Sequence, residues 1–180
     1  MILVTGASRG LGRAVADRLV DTGHDVFGIS RNAKELPFES ASCDVADYGA
    51  VKAIAQKLRK EKRDLLGVIN AAGIASMNLA VTTPPSMTQK LIQTNLAGTI
   101  HCCQLFAPLM IRKKAGSIIN FSTIAVALGL KGESIYAASK AGVEGFSRAF
   151  AREMADFNIR VNCVAPGPIK TDLLRGVSDE

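Results

Sequence analysis

The chain has 180 residues, enough for one domain that buries about 70% of its unfolded surface. Apolar residues make up 48% and charged residues 21%, which excludes wholesale disorder. The net charge of +6 admits nucleic acid or an anionic cofactor as a partner, but the densest basic run, Lys57 to Arg63, lacks the interleaved aromatics of a nucleic-acid platform.

Ile2 to Thr5 reads as a short apolar strand, followed by a glycine-rich turn. A helix comes next, with Leu11, Ala14, Val15 and Leu19 on one face and Gly23 as its stop. Val26 to Ile29 gives a second strand, and residues 31 to 42 read as a loop carrying Pro37. Val51, Ile54, Ala55 and Leu58 mark another amphipathic helix, whose basic end reads as solvated. Leu65 to Ile69 is a strand that runs into Asn70-Ala71-Ala72-Gly73. Residues 74 to 88 read as a loop or broken helix, Gln89 to Met110 as mostly helical, and Ser117 to Phe121 as a strand. Residues 122 to 133 read as a loop, Ser134 to Ala155 as a long helix and Ile159 to Val164 as a strand, stopped by Pro166-Gly167-Pro168. The uncharged stretch Leu91 to Ile111 carries Gln93, Asn95, His101 and Gln104, so it is expected to be a buried helix and not a membrane span. Strands alternating with helices predict an α/β fold: a Rossmann-like, doubly wound, mainly parallel sheet with helices on both faces.

Four cysteines, Cys43, Cys102, Cys103 and Cys163, contain no CxxC pair. Buried free thiols in a reducing compartment are expected, with neither a zinc site nor a disulfide framework. The start, Met-Ile-Leu-Val-Thr-Gly, does not read as a signal peptide, and a cytoplasmic protein is expected.

The turn Thr5-Gly6-Ala7-Ser8-Arg9-Gly10-Leu11-Gly12 sits between a strand and a helix, the context a dinucleotide pyrophosphate needs. Glycines there permit a tight turn and close backbone approach. Folds that select NAD usually place an acid at the end of the second strand, against the ribose hydroxyl. Here that end reads Gly28-Ile29-Ser30-Arg31, and Arg31, with Arg9 from the turn, suits a 2′-phosphate. The expected cofactor is NADP(H).

These motifs resemble the short-chain dehydrogenase/reductase family over the whole chain. The resemblance rests on Thr5-Gly6-x-x-x-Gly10-x-Gly12, Asp44, Asn70-Ala71-Ala72-Gly73, Asn95, Tyr136-x-x-x-Lys140 and Pro166-Gly167-x-Ile169-x-Thr171. The wording Tyr136-Ala-Ala-Ser-Lys140-Ala-Gly is most similar to the 3-oxoacyl-acyl-carrier-protein reductase branch. The resemblance implies that Gly6, Ser8, Arg9, Gly10, Leu11, Gly12, Arg31, Asp44, Val45, Asn70, Ala71, Gly73, Pro166, Gly167, Ile169 and Thr171 bind the cofactor. Asp44 and Val45 would meet the adenine, and Asn70 and Gly73 would line the adenosine side and brace the sheet. Lys140 would hold the nicotinamide ribose, with Ile169 and Thr171 at the nicotinamide end. It also implies that Asn95 opens a local helix distortion and holds a water leading from Lys140 to solvent. Because family members continue well past the Pro-Gly turn, it implies a single domain, residues 1–180, incomplete at its C-terminus and lacking most of the substrate lid and the last strand.

Carbonyl reduction needs a hydride donor and a proton donor. Tyr136 and Lys140 stand four apart, on one helix face, where the ammonium is expected to lower the phenol's pKa. The family's third catalytic hydroxyl falls on Thr123, thirteen residues before Tyr136. Strand alternation turns the neighbouring Ser122 the other way, as a structural hydroxyl bonded to nearby backbone. The implied catalytic set is Asn95, Thr123, Tyr136 and Lys140, with no metal. His24 and His101 read as structural. The leading expected activity is NADPH-dependent reduction of a 3-oxoacyl thioester. Alternatives are another alcohol or ketone, such as a sugar or steroid, and a silent dinucleotide-binding scaffold. Arg112-Lys113-Lys114 is a candidate basic docking patch near the mouth for a carrier-borne substrate, although Phe157 stands where such reductases often carry Arg. A homo-oligomer is expected, a tetramer if full length, built partly from helices around 97–112 and 138–154, with no nucleic-acid or membrane partner.

Overall fold

The short apolar runs pair edge to edge, all in parallel. A computed structural model describes residues 1–33 and 36–169. In chain order the strands are β1 (Ile2–Thr5), β2 (Val26–Ser30), β3 (Glu39–Ser42), β4 (Gly67–Asn70), β5 (Gly116–Phe121) and β6 (Ile159–Val164). The helices are α1 (Gly10–Asp21), α2 (Tyr48–Lys60), α3 (Pro85–Leu91), α4 (Gly98–Ile111), α5 (Ala125–Leu128) and α6 (Ser134–Ala155). The sheet order β3-β2-β1-β4-β5-β6 reverses direction between β1 and β4, where a Rossmann-type sheet opens its crevice.

Residues 31–42 depart from the sequence reading. They were expected to be loop, but Glu39–Ser42 adds a parallel edge strand, with Phe27 opposite Glu39 and Ser30 opposite Ser42. The run Glu-Ser-Ala-Ser carries no apolar signal because its pairing comes from backbone, and nearby Phe38 packs into the space that Gly28 leaves. The helix expected from Gln89 begins at Pro85, and its middle, Ile92–Ala97, widens into a π-helical turn before α4. The loop expected at 122–133 contains the short helix α5, stopped by Gly129 at φ 61°.

Leu3, Phe27, Ile29 and Val68 face one layer, filled by Val51 and Leu58 of α2, Phe106 and Met110 of α4, and Phe150 of α6. Val4, Val26 and Ile69 face the other, where Ala16 of α1 is buried and Val15 and Leu19 pack. The basic run ends in solvent as read, with Arg63 paired to Glu39 at 2.7 Å and to Asp25 at 3.1 Å. No helix among the described residues is long and apolar enough to cross a membrane.

Candidate active site

Three glycines decide the entrance of the cleft. Gly6 has φ 70°, and a Cβ there would stand 2.9 Å from the Ala72 backbone, so the first turn fits under the β4 turn only without a side chain. A Cβ on Gly12 would stand 2.4 Å from the Gly6 carbonyl oxygen, and Gly10, at φ 56°, opens α1. The hydroxyl of Thr5 accepts from the Ala72 amide at 3.1 Å and locks the two turns together. No side chain caps α1 and no acid lies in its first turn, so its leading amides are free to meet an anion.

A cleft of about 830 Å³ follows, across the carboxyl ends of the strands. Gly6, Ser8, Arg9, Gly10, Leu11 and Gly12 line it at one end, together with Arg31, Asp44 and Val45. Ala71 and Gly73 form its floor, and Pro166, Gly167 and Ile169 close its far end. Ser30, also in the lining, has a buried hydroxyl without a partner among the described residues. It stands beside Arg31 with no acid at the end of β2. An orphaned donor beside a guanidinium fits a 2′-phosphorylated ribose, and the glycine turn at the start of α1 fits the pyrophosphate.

Asn70 braces the sheet as expected but departs from the expectation in its place. It is buried behind the floor and does not line the cleft. Its Nδ2 donates to Asn120 Oδ1 at 2.8 Å, and Asn120 Nδ2 donates to Ser147 Oγ at 2.8 Å, so it braces β4, β5 and α6 and does not line the adenosine side. Thr171 lies outside the described residues.

At the other end, α6 carries Tyr136 and Lys140 into the cleft. Lys140 is 6% exposed and its Nζ donates to the Phe121 carbonyl at 2.8 Å. Burial pulls its pKa down to about 8. The expectation that this ammonium lowers the Tyr136 pKa is not met. Burial raises the phenol's pKa, the Thr123 hydroxyl opposes that rise, and the Glu133 carboxylate adds to it. The raised value keeps Tyr136 in its protonated, proton-donating form.

Thr123 and Ser122, just past the end of β5, both line the cleft but hold different partners. Thr123 Oγ1 accepts from the Ala125 amide at 3.2 Å, and its hydroxyl pulls the pKa of the Tyr136 phenol down. Ser122 Oγ donates to Glu144 Oε1 at 2.6 Å, so its partner is a side chain and not the backbone expected. Asn95 sits in the π-helical turn, fully buried behind the cleft wall. Its Oδ1 accepts from the Ile74 amide, and its Nδ2 donates to the Ile74 carbonyl and to Ser139 Oγ. The wider turn aims this amide at the backbone of the chain leaving Gly73.

The candidate docking patch is misplaced. Arg112, Lys113 and Lys114 immediately precede β5, so they lie at the amino ends of the strands, opposite the cleft. Lys113 pairs there with Asp64. Phe157 packs against the main core. His101 is structural as read, its Nδ1 3.0 Å from the Val45 carbonyl. Sequence reasoning missed Glu133 and the apolar walls Ile74, Met77 and Leu130, which line the cleft near Tyr136. The position of Glu133, three before Tyr136 on one helical face, was the available signal.

Such a crevice, with a glycine turn at its entrance and a buried Tyr–Lys pair at its end, defines a Rossmann-type dinucleotide oxidoreductase. The family described as short chain dehydrogenase matches residues 1–180. The 3-oxoacyl-[acyl-carrier-protein] reductase FabG of Staphylococcus aureus is 37% identical over 191 aligned residues, covering 99% of this chain and 78% of that protein. A 3-oxoacyl-[acyl-carrier-protein] reductase of Bos taurus is 38% identical, over 98% and 78%. Among solved structures, the ligand-free aldohexose dehydrogenase of Thermoplasma acidophilum superposes with a TM-score of 0.92 at 34% identity, covering 97% of this chain and 68% of that one. ElxO with NADP bound does so with a TM-score of 0.91 at 32% identity, over 97% and 75%. The chain belongs to the short-chain dehydrogenase family and is an NADP(H)-dependent oxidoreductase.

Two outcomes follow from the geometry. Thr123→Val should cut turnover roughly a hundredfold, the scale of one lost transition-state donor, whereas Ser122→Ala should cost no more than about tenfold. The reverse ranking in steady-state assays would move the catalytic hydroxyl to Ser122.

Lys140 generates the second outcome. Its folded pKa of about 8 lies below the ordinary 10.5, so folding expels a proton between those values. The burial penalty is therefore complete below pH 8 and fades as pH rises above it. Lys140→Met should stabilise the cofactor-free protein at pH 7 by about 3 kcal/mol, an advantage that shrinks from pH 8 to pH 10. Denaturant titrations across that range check it, and a difference independent of pH would reject burial of charge as its cause.

Proposed function

We propose that the protein reduces a 3-oxoacyl thioester, or a closely similar apolar ketone, to the alcohol at the expense of NADPH. One observation carries this choice: around Tyr136 and Thr123 the cleft is walled by Ile74, Met77, Ile124, Leu130 and Ile169. An acyl chain loses little on entering such a space, whereas a sugar would leave most of its hydroxyls without partners. The names of the two reductase relatives agree with this class of substrate.

The bound nicotinamide supplies the hydride. The chain does the rest. Tyr136 donates its phenolic proton to the carbonyl oxygen, and the Thr123 hydroxyl donates to the same oxygen as charge develops there. Lys140, held by the Phe121 carbonyl, brings a positive charge to the nicotinamide ribose side of the cleft. Asn95 fixes the Ile74 backbone, which forms one wall. Arg31, Arg9 and Ser30 select the 2′-phosphate.

NADPH should bind at least tenfold more tightly than NADH, and Arg31→Glu should abolish or invert that preference. Equal dissociation constants in the unmodified protein would reject the selectivity. Consumption of NADPH with an acetoacetyl thioester, measured beside a panel of sugars and steroids, tests the substrate class. Binding without turnover on the whole panel would favour a silent scaffold.

A homo-oligomer is the companion proposal. Its support is the apolar groove between α4 and α6, lined by Tyr48, Ala107, Pro108, Ile111, Phe150 and Met154. The buried free thiols Cys43, Cys102 and Cys103 suit a reducing, cytoplasmic setting. Sedimentation at micromolar concentration should give a dimer or larger species, and a clean 19.0 kDa monomer would count against it.

A further inference from the structure

Tyr136, Lys140 and Glu144 stand four residues apart on α6 and form one stripe along the helix. That stripe meets three successive residues at the end of β5. Lys140 Nζ donates to the Phe121 carbonyl at 2.8 Å, Ser122 Oγ donates to Glu144 Oε1 at 2.6 Å, and Thr123 lines the cleft with Tyr136, its hydroxyl pulling the phenol's pKa down. Two of these contacts belong to the reacting groups. The middle one does not touch the reacting groups.

The Ser122–Glu144 bond has the features of a structural anchor. It is short and charge-assisted, and Ser122 is 4% exposed. The surroundings give the carboxylate little else to hold. Arg148, also on α6, stands 3.8 Å away but is 74% exposed, so that pair is weak. Cys163 of β6 is near enough for the carboxylate to raise its pKa, and Lys140 is committed to Phe121. Backbone bonds tie the same turn to the neighbouring chain, from the Ser122 amide to the Val164 carbonyl at 2.8 Å and from the Ile124 amide to the Pro166 carbonyl at 3.1 Å. These set the height of the strand end but not its rotation. Thr123 follows Ser122 directly in the turn that leaves β5, so a grip on the Ser122 side chain restrains the backbone that carries Thr123.

We propose that Glu144 is a positioning residue: by holding Ser122 it fixes the end of β5 so that the Thr123 hydroxyl stays on Tyr136. It acts on the reaction through Thr123 and touches neither substrate nor cofactor. The proposal rests on the reading of Thr123 and Tyr136 as the groups that meet the carbonyl oxygen.

The test has one arm that needs no turnover. The chain has two tyrosines and no tryptophan, so Tyr48→Phe leaves Tyr136 as the sole phenol and its ionisation is read directly by ultraviolet absorbance. In that background Thr123→Val should raise the titration midpoint, since the Thr123 hydroxyl lowers it. Glu144→Ala and Ser122→Ala, which break the anchor from either end, should each move the midpoint in the same direction. Glu144→Gln keeps an acceptor oxygen and should stay near the parent. In the kinetic arm, Glu144→Ala should lower kcat about tenfold with the KM for NADPH within about twofold, and Glu144→Gln should recover most of that loss. An unmoved midpoint in both anchor variants overturns the positioning role, as does a loss in Glu144→Ala that appears only in KM. If the parent reduces no ketone, the reductase reading fails by itself and the titration arm still decides the role of Glu144.

Discussion

An ammonium 6% exposed must find an oxygen, and Lys140 finds the Phe121 carbonyl at 2.8 Å. That bond joins the middle of α6 to the end of β5, and much of the site follows from the need to make room for it. Gly73 lacks a side chain where a Cβ would stand 3.4 Å from the ammonium and 3.3 Å from Asn95 Oδ1. Asn95, on the far side of Gly73, holds the outgoing chain at Ile74 by both its amide and its carbonyl. The π-helical turn is the backbone adjustment that brings Asn95 there, and Ser139 closes the circuit by accepting from Asn95 and donating to the Tyr136 carbonyl.

A second chain of buried amides carries the same logic into the sheet. Asn70, Asn120 and Ser147 link the ends of β4 and β5 to α6 through bonds of 2.8 Å, and Ser147 is anchored in turn on the Val143 carbonyl. Asn70 Oδ1 has no partner among the described residues, but the Asn70 Nδ2 and both ends of the Asn120 amide are paired, and those directional bonds restrict where α6 can lie over the sheet. The position of Tyr136 is thus inherited from contacts made two turns or more along the helix. It does not depend on the phenol's own bonds alone.

What could be read from the sequence was whatever the backbone must do with local signals. Glycines at 6, 10 and 12, the alternation of apolar runs with amphipathic helices, and the four-residue spacing of Tyr136 and Lys140 each state a geometric requirement in one stretch of chain. Glu39–Ser42 could not be read because an edge strand of small polar residues takes its pairing from β2 and has no pattern of its own. The resemblance implied that Asn70 braces the sheet, but its withdrawal from the cleft wall needed its partner Asn120, fifty residues away, to be visible. Arg112 to Lys114 looked like a docking patch because charge is legible in sequence, whereas the end of the sheet on which it falls is not. The pairing of Ser122 with Glu144 was hidden for the same reason: the residues are twenty-two apart and meet only once α6 lies on β5.

The titration behaviour of the pair then bears on direction. Burial and Glu133 both raise the Tyr136 pKa, so at neutral pH the phenol holds its proton, which is the form that a reduction consumes. Lys140, near 8, is mostly charged at neutral pH but close enough to its midpoint to exchange a proton readily. A buried acid that is kept neutral beside a base near its midpoint can be reprotonated after each turnover without either group crossing a large free-energy gap. On the proposed reading, the same burial that makes Lys140 costly to fold therefore leaves the pair resting in the state from which a carbonyl is reduced.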